Sequence, residues 1–244
     1  MKRKLLAITL MLACVTLASA QNKWKFNLGF GGELKTGNVN SITLSNTGGI
    51  ERNDSLISFS ADYGIVYGEK DKVKYDEGLT ANVKFDLWQY DRWSPFLAWS
   101  YVNNKFKGYN FKNSFLAGVK YRIYAYKDRC DYSVSAAYVY DFVEYTLDDD
   151  ALKPQVSRLS LRIKGKQKIG DIITIKHTTF YQPSLMSMDD FKKDYIITSV
   201  TTFSNQIAKN ISLDLNFAYE YRGIVPEDIK NEDITATASL KFSF

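Results

Sequence analysis

The sequence has almost none of the residues from which soluble catalytic and metal sites are built. In 244 residues there is one histidine, His177, and there are two cysteines, Cys14 and Cys130. A His/Cys metal cluster is excluded by that count. A Ser-His or His-acid hydrolase would rest on His177 alone, in "DIITIKHTTFYQP", with no partner evident nearby. No run of eighteen apolar residues follows Gln21, so no helix is expected to cross a membrane. Prolines number four, and no segment has a convincing amphipathic helical period.

Charge of one sign is also missing once the first residues are set aside. "MKRKLLAITLMLACVTLASAQ" has a basic start, an apolar run from Leu5 to Ala18 and a small-residue site before Gln21, the pattern of a cleaved export signal over residues 1–20. Lipidation at Cys14 is the weaker alternative, because Met11-Leu12-Ala13 makes a poor lipobox. Subtracting Lys2, Arg3 and Lys4 from 32 leaves 29 Lys+Arg against 27 Asp+Glu in residues 21–244, a balance that points to no nucleic-acid partner. Cys130 then stands alone in an oxidising destination, so no intramolecular disulfide is available, and its flanks "KDRCDY" read as a turn.

Aromatic residues, by contrast, are abundant, with 17 Tyr and 15 Phe, and they recur with period two. Twelve extended segments are predicted: 24–36, 40–52, 55–68, 72–90, 94–106, 111–126, 131–146, 155–167, 171–182, 192–205, 208–222 and 232–244. In 55–68, for example, Ile57, Phe59, Ala61, Tyr63, Ile65 and Tyr67 alternate with Ser58, Ser60, Asp62, Gly64 and Val66. Strands of soluble sandwiches run about 5–6 residues, whereas a tilted strand needs about 9–11 to span a bilayer. The segments are long enough to span. The expected fold is therefore an all-β, antiparallel, up-and-down transmembrane barrel of about twelve strands filling residues 21–244, with a wet, polar lumen.

Loop lengths carry the same expectation. With both termini in the periplasm, the connections "ND", "DRW", "KDRC", "KIG" and "QI" are periplasmic and short. The others include "TLDDDALKP", "PSLMSMDDFKKD" and "RGIVPEDIKNED", which are long and charged and hold three of the four prolines. Asp148-Asp149-Asp150 and Asp189-Asp190 lack the spacing of a calcium loop and read as solvated loop residues. Trp24, Trp88, Tyr90, Trp93, Phe96, Tyr126 and Phe244 are expected to form an aromatic girdle at the periplasmic rim.

The chain ends on "ITATASLKFSF", an alternating strand closing on Phe242-Ser243-Phe244. This resembles the terminal assembly signal of bacterial outer-membrane barrels, which implies that Phe242 and Phe244 are read by the barrel-assembly machinery. A narrower resemblance lies in "LGFGGELKTGNVNSITLSNTGGIERND" (28–54), with its Thr36-Gly37-Asn38 hairpin, and in "FLAWSYVNNKFKGYNFKNSFLAGVKYRIY" (96–124), with Gly118 before Tyr121-Arg122. These stretches resemble the YdiY-like family of salt-induced outer membrane proteins, otherwise a domain of unknown function. The resemblance implies bacterial outer-membrane localisation and brings no catalytic residue, metal or cofactor.

Alternation assigns charges of both signs to the lumen: Glu33, Asp62, Asp76, Asp86, Asp141, Asp214 and Glu220 against Lys35, Lys74, Lys84, Lys120, Arg122, Arg158, Arg162, Lys164, Lys176 and Lys241. The same residues suit two functions. One is a small-solute channel with a slight preference for anions. The other is a closed, salt-bridged barrel with a structural role in envelope stress. An outer-membrane hydrolase or an adhesin is a weaker reading. Lipid and lipopolysaccharide are the expected surroundings, and the sequence does not fix an oligomeric state.

Overall fold

In a computed structural model of the chain, which describes residues 24–36, 41–70, 73–146, 152–226 and 229–244, the backbone forms one closed antiparallel barrel of twelve strands. They are β1 (Trp24–Thr36), β2 (Ser41–Asn53), β3 (Ile57–Lys70), β4 (Val73–Leu87), β5 (Trp93–Asn104), β6 (Tyr109–Tyr126), β7 (Cys130–Tyr145), β8 (Gln155–Ile169), β9 (Ile173–Pro183), β10 (Tyr195–Ala208), β11 (Ile211–Arg222) and β12 (Glu232–Ser243). Each strand pairs with its sequence neighbours, and β1 pairs with β12 to close the ring. Closure matters because an open edge would leave unpaired N–H and C=O groups in hydrocarbon, where nothing else can bond them.

The closing seam runs from Thr36↔Ile234 to Asn27↔Ser243, and the Phe26 and Phe244 backbones exchange bonds of 3.0 and 2.9 Å at its end. Phe244 is half exposed on the outer face that also carries Phe30 and Leu240. Along the strands most of the large apolar side chains point outward, because successive side chains take opposite faces. Phe85, Leu97, Phe115, Ile163, Phe203 and Phe217 are all exposed there. An outer band of that size would be a liability in water and is matched by lipid.

Aromatics gather at both ends of this band. Trp88, Tyr90, Trp93 and Tyr126 stand exposed at the end with the termini and short turns. At the other end Tyr195 lies between Tyr181 and Tyr221, with ring centroids 5.9 and 5.5 Å away, a second belt that sequence reading missed.

Two expectations are corrected. Phe96 is not in the girdle: it pairs with Asp86 and Gly118 on the inner face and is buried, because Ser94, Ala98 and Ser100 beside it mark that face as inward. Lys74 is not in the lumen. A β-bulge between Gly68 and Glu69 places one extra residue on β4, which reverses the alternation beyond it. Lys74 therefore lies over the Tyr67 ring at 5.6 Å and bridges Glu77 at 2.9 Å on the outside.

Candidate functional site

Among the described residues the charged and polar side chains gather in the lumen, and its two ends differ. The loop end begins at the β5–β6 connection, a 3-10 turn over Lys105–Lys107 capped by the Asn104 side chain, which accepts from the Lys107 N–H at 3.1 Å. Gly108 follows with φ +87°, a conformation that glycine takes without penalty. A side chain there would also collide with Pro226, whose Cγ would lie 2.7 Å from a Cβ. Pro226 belongs to the β11–β12 loop and is fully buried, so that loop folds into the barrel mouth.

Strands β5 and β11 are six places apart in the closed order, so contacts between the β5–β6 turn and β11 cross the barrel. Lys107 Nζ reaches Glu220 at 2.9 Å, and Arg222 donates to the Lys107 carbonyl at 2.9 Å. Burial alone would lower the pKa of the Lys107 ammonium, but the Glu220 carboxylate outweighs it and raises the value above the ordinary lysine range.

Arg158, on β8, is the second organiser of this end. It is buried, donates from Nε to Asp141 at 3.2 Å, and from Nη2 to both oxygens of Asp194 at 2.8 and 3.1 Å. Its Nη1 donates to the Asp194 carbonyl at 3.1 Å, and Lys112 bridges Asp141 at 3.1 Å. Asp194 is positioned by a short helix α1 (Met188–Lys193), N-capped by Ser187, through an Asp194 N–H bond to the Asp190 carbonyl at 2.7 Å. Each charge here has an opposite charge in contact, the condition under which burying it is tolerated.

The turn end is different. Asp86 is held by Lys84 at 2.5 Å and faces Lys120 at 4.0 Å. Arg122 donates to the Gln89 and Tyr90 carbonyls at 2.7 and 2.6 Å and meets Asp131 at 3.3 Å. Asp214 accepts from Ser204 and Ser212 at 2.6 and 2.9 Å. Lys164, Lys166 and Lys176 also point inward, by register with Ser133, Asp131 and Thr202. Among the described residues no carboxylate lies within ion-pair distance of these three. This half of the lumen is basic and unbalanced.

Between the halves stands a rung of Phe96, Arg162 and Phe180, with Lys84 against it. The Arg162 guanidinium lies over Phe96 at 5.4 Å and over Phe180 at 5.7 Å, and Lys84 sits over Phe96 at 5.0 Å. On the loop side of this rung apolar side chains join the charged network: Val139 and Val156 are buried, with Val143 and Tyr109 near them. The lumen of this half is therefore mixed, with valines among the polar residues expected there.

Of the other residues named from sequence, Asp62 accepts from Asn82 at 2.7 Å and lines the same cavity, and Asp76 is fully buried on the inner face beside Asn104 at 3.4 Å. The side chains of Glu33 and Lys35, the Gly37-Asn38 hairpin, residues 1–23 and Asp148-Asp149-Asp150 lie outside the described residues. Phe242 is on the outer face, paired with Leu28. His177 is exposed on the outer face, bonded to Thr201 at 2.8 Å and Thr179 at 2.9 Å. Sequence reading missed Lys107, Asp194 and Pro226, which sit in loops that have no period to read. It also missed Lys166 and Phe180, which strict alternation along β8 and β9 places inward.

In fold the chain is similar to known outer-membrane barrels. It resembles the NanC porin at 10% identity with a TM-score of 0.59, covering 88% of this chain and 98% of that one. The KdgM porin in complex with disordered oligogalacturonate is similar at 12% identity and a TM-score of 0.52, over 89% and 99% of the two chains. The translocator domain of the autotransporter NalP from Neisseria meningitidis matches at 9% identity and a TM-score of 0.52, over 99% and 98%. These likenesses show the fold. No curated protein matches in sequence. The model of one family does match, over residues 28–244, the span that holds most of β1 and every later strand, and the chain belongs to that family, DUF481, described as a protein of unknown function.

Proposed function

We propose that this outer-membrane barrel is a non-enzymatic conduit for small solutes that favours anions and is narrowed at its extracellular mouth. The observation that supports it is the unmatched basic charge of the turn-end lumen, where Lys164, Lys166 and Lys176 face in without carboxylate partners among the described residues. Fixed charge on a low-dielectric wall concentrates ions of opposite sign. Porins of the same fold are conduits, one of them solved with a polyanionic sugar, which agrees in direction with this reading. The proposal includes export through removal of residues 1–20 and insertion directed by Phe242 and Phe244 in contact with the assembly machinery.

One observation favours a second reading. The Lys107–Glu220 bridge and the buried Pro226 hold loops across the mouth, as in a closed barrel with a structural role in envelope or salt stress. Planar-bilayer recording separates the two. Unitary currents whose reversal potential in a salt gradient shows anion preference, inverted by Lys164→Glu with Lys176→Glu, support the conduit. Silent bilayers from protein that migrates as a folded barrel leave the structural role.

A further inference from the structure

Between the Phe96–Arg162–Phe180 rung and the folded-in β11–β12 loop lies a chamber of about 530 Å³. Its size falls within the range of about 300–1,000 Å³ typical of small-molecule sites. Val139, Val143, Val156, Leu116 and Ile196 line it, and Pro226 closes it above. Serines (Ser100, Ser114, Ser135, Ser160), Gln182 and the charged groups share the wall with them, so the chamber offers an apolar patch beside polar groups.

Among the described residues, the cations around the chamber divide into those held by a carboxylate, Lys84 by Asp86 among them, and Arg162, which is not; Asp62, the one carboxylate there without a cation, is bonded to the Asn82 amide. Arg158 and Lys112 are held by Asp141 and Asp194, and Lys107 and Arg222 by Glu220. Arg162 has only ring contacts, with Phe96 and Phe180, and no carboxylate within ion-pair distance among the described residues. Contacts through the faces of a guanidinium leave its in-plane N–H fork free, and that fork matches a carboxylate in two parallel bonds.

We propose that this chamber binds a small amphipathic carboxylate, its apolar body against the valine wall and its carboxylate on Arg162. The inference rests on the conduit reading for how the ligand arrives. Inorganic anions offer nothing to the valines, and a sugar acid, whose hydroxyls suit the serines and Gln182, leaves the valine patch without an apolar partner.

The full mature barrel in lipid nanodiscs is titrated calorimetrically with 4-butylbenzoate, with its uncharged amide, with galacturonate and with phosphate, empty nanodiscs being subtracted. Saturable one-to-one binding of 4-butylbenzoate is expected, with the amide and the Arg162→Gln protein each weaker by about tenfold or more, the loss that follows removal of a charge-assisted bond. The near-isosteric Val156→Thr should weaken the benzoate severalfold and leave heat-modifiable migration unchanged, and His177→Ala should bind as wild type. Equal affinity for the amide or for galacturonate, or unchanged binding by folded Arg162→Gln, overturns the site. Binding through Arg162 without anion-selective current keeps the site and removes the conduit; selective current without benzoate binding does the reverse.

Discussion

The two ends of the lumen use the same residue types to opposite effect. At the loop end Arg158, Lys112, Lys107 and Arg222 are each in contact with a carboxylate, and the result is a tied mouth. At the turn end Asp86 is shared by Lys84 and Lys120, while Lys164, Lys166 and Lys176 have no such partner among the described residues. Arg158 and Arg162 make the contrast sharpest, since they stand four residues apart on the inner face of β8. Buried charge stabilises a fold only where it is paired and bonded. Unpaired charge is tolerated where water reaches it, and is available there to a solute.

The largest expected effect breaks the tied end. Removing the side chain of Arg158 leaves the largely buried Asp194 carboxylate without its cation, while Asp141 keeps Lys112, and uncompensated buried charge costs about 3–5 kcal/mol. Arg158→Ala should lower the unfolding free energy, measured by urea titration of the barrel in detergent, by that amount, and Asp194→Ala should come close. A shift below about 1 kcal/mol in both would mean that this network is not what holds the end. Next comes Glu220→Gln, which removes a partly exposed partner of Lys107 and should cost about 1 kcal/mol. Its stronger signature is functional, with higher single-channel conductance if the Lys107 tether narrows the mouth.

The turn end should behave the other way. Lys164→Gln with Lys176→Gln removes like charges that repel their neighbours Arg162, Lys84 and Lys241 and breaks no ion pair among the described residues. Stability is expected to stay within about 0.5 kcal/mol of wild type or to rise, while anion preference falls. A loss comparable with that of Arg158→Ala would erase the distinction between the two ends.

How much of this was legible follows from how each residue is placed. Alternation is a property of the strand itself, so the barrel, its twelve strands and the common face of Arg158 and Arg162 could be read from spacing. It fails at Lys74, where one extra residue at a bulge reverses the face without leaving a mark in composition. Phe96 misleads because an aromatic near a strand end suggests a girdle, although Ser94, Ala98 and Ser100 share its face. What decides the site lies mostly outside any period. Asp194 reaches Arg158 from the end of α1, Lys107 reaches Glu220 from across the barrel, and Pro226 enters from a loop. Only the assembled ring brings those segments together.

The smallest effect tests how the loop that carries Asp194 is itself fixed. Asp190 accepts from Lys153 at 2.7 Å and from the Ser187 hydroxyl at 2.8 Å. The Lys153 bond, then the Ser187 bond, hold its carboxyl below the ordinary aspartate value of 3.8. A depressed carboxylate pKa contributes stability that is present above the unfolded value and is lost as pH falls through the folded one. The tie from Lys153 to α1 should therefore persist at pH 4 and release only below the usual aspartate range. Carbon-detected NMR titration of the Asp190 side chain in detergent should place its midpoint under 3.8, and Lys153→Ala should move it back toward that value. Because the pair joins two loops at a bond exposed to solvent, 1 M salt should move it the same way. The stability lost in Arg158→Ala, by contrast, should be the same with and without 1 M salt, because the Arg158–Asp194 pair is buried, and a loss that shrinks in salt would place the whole loop end in contact with water.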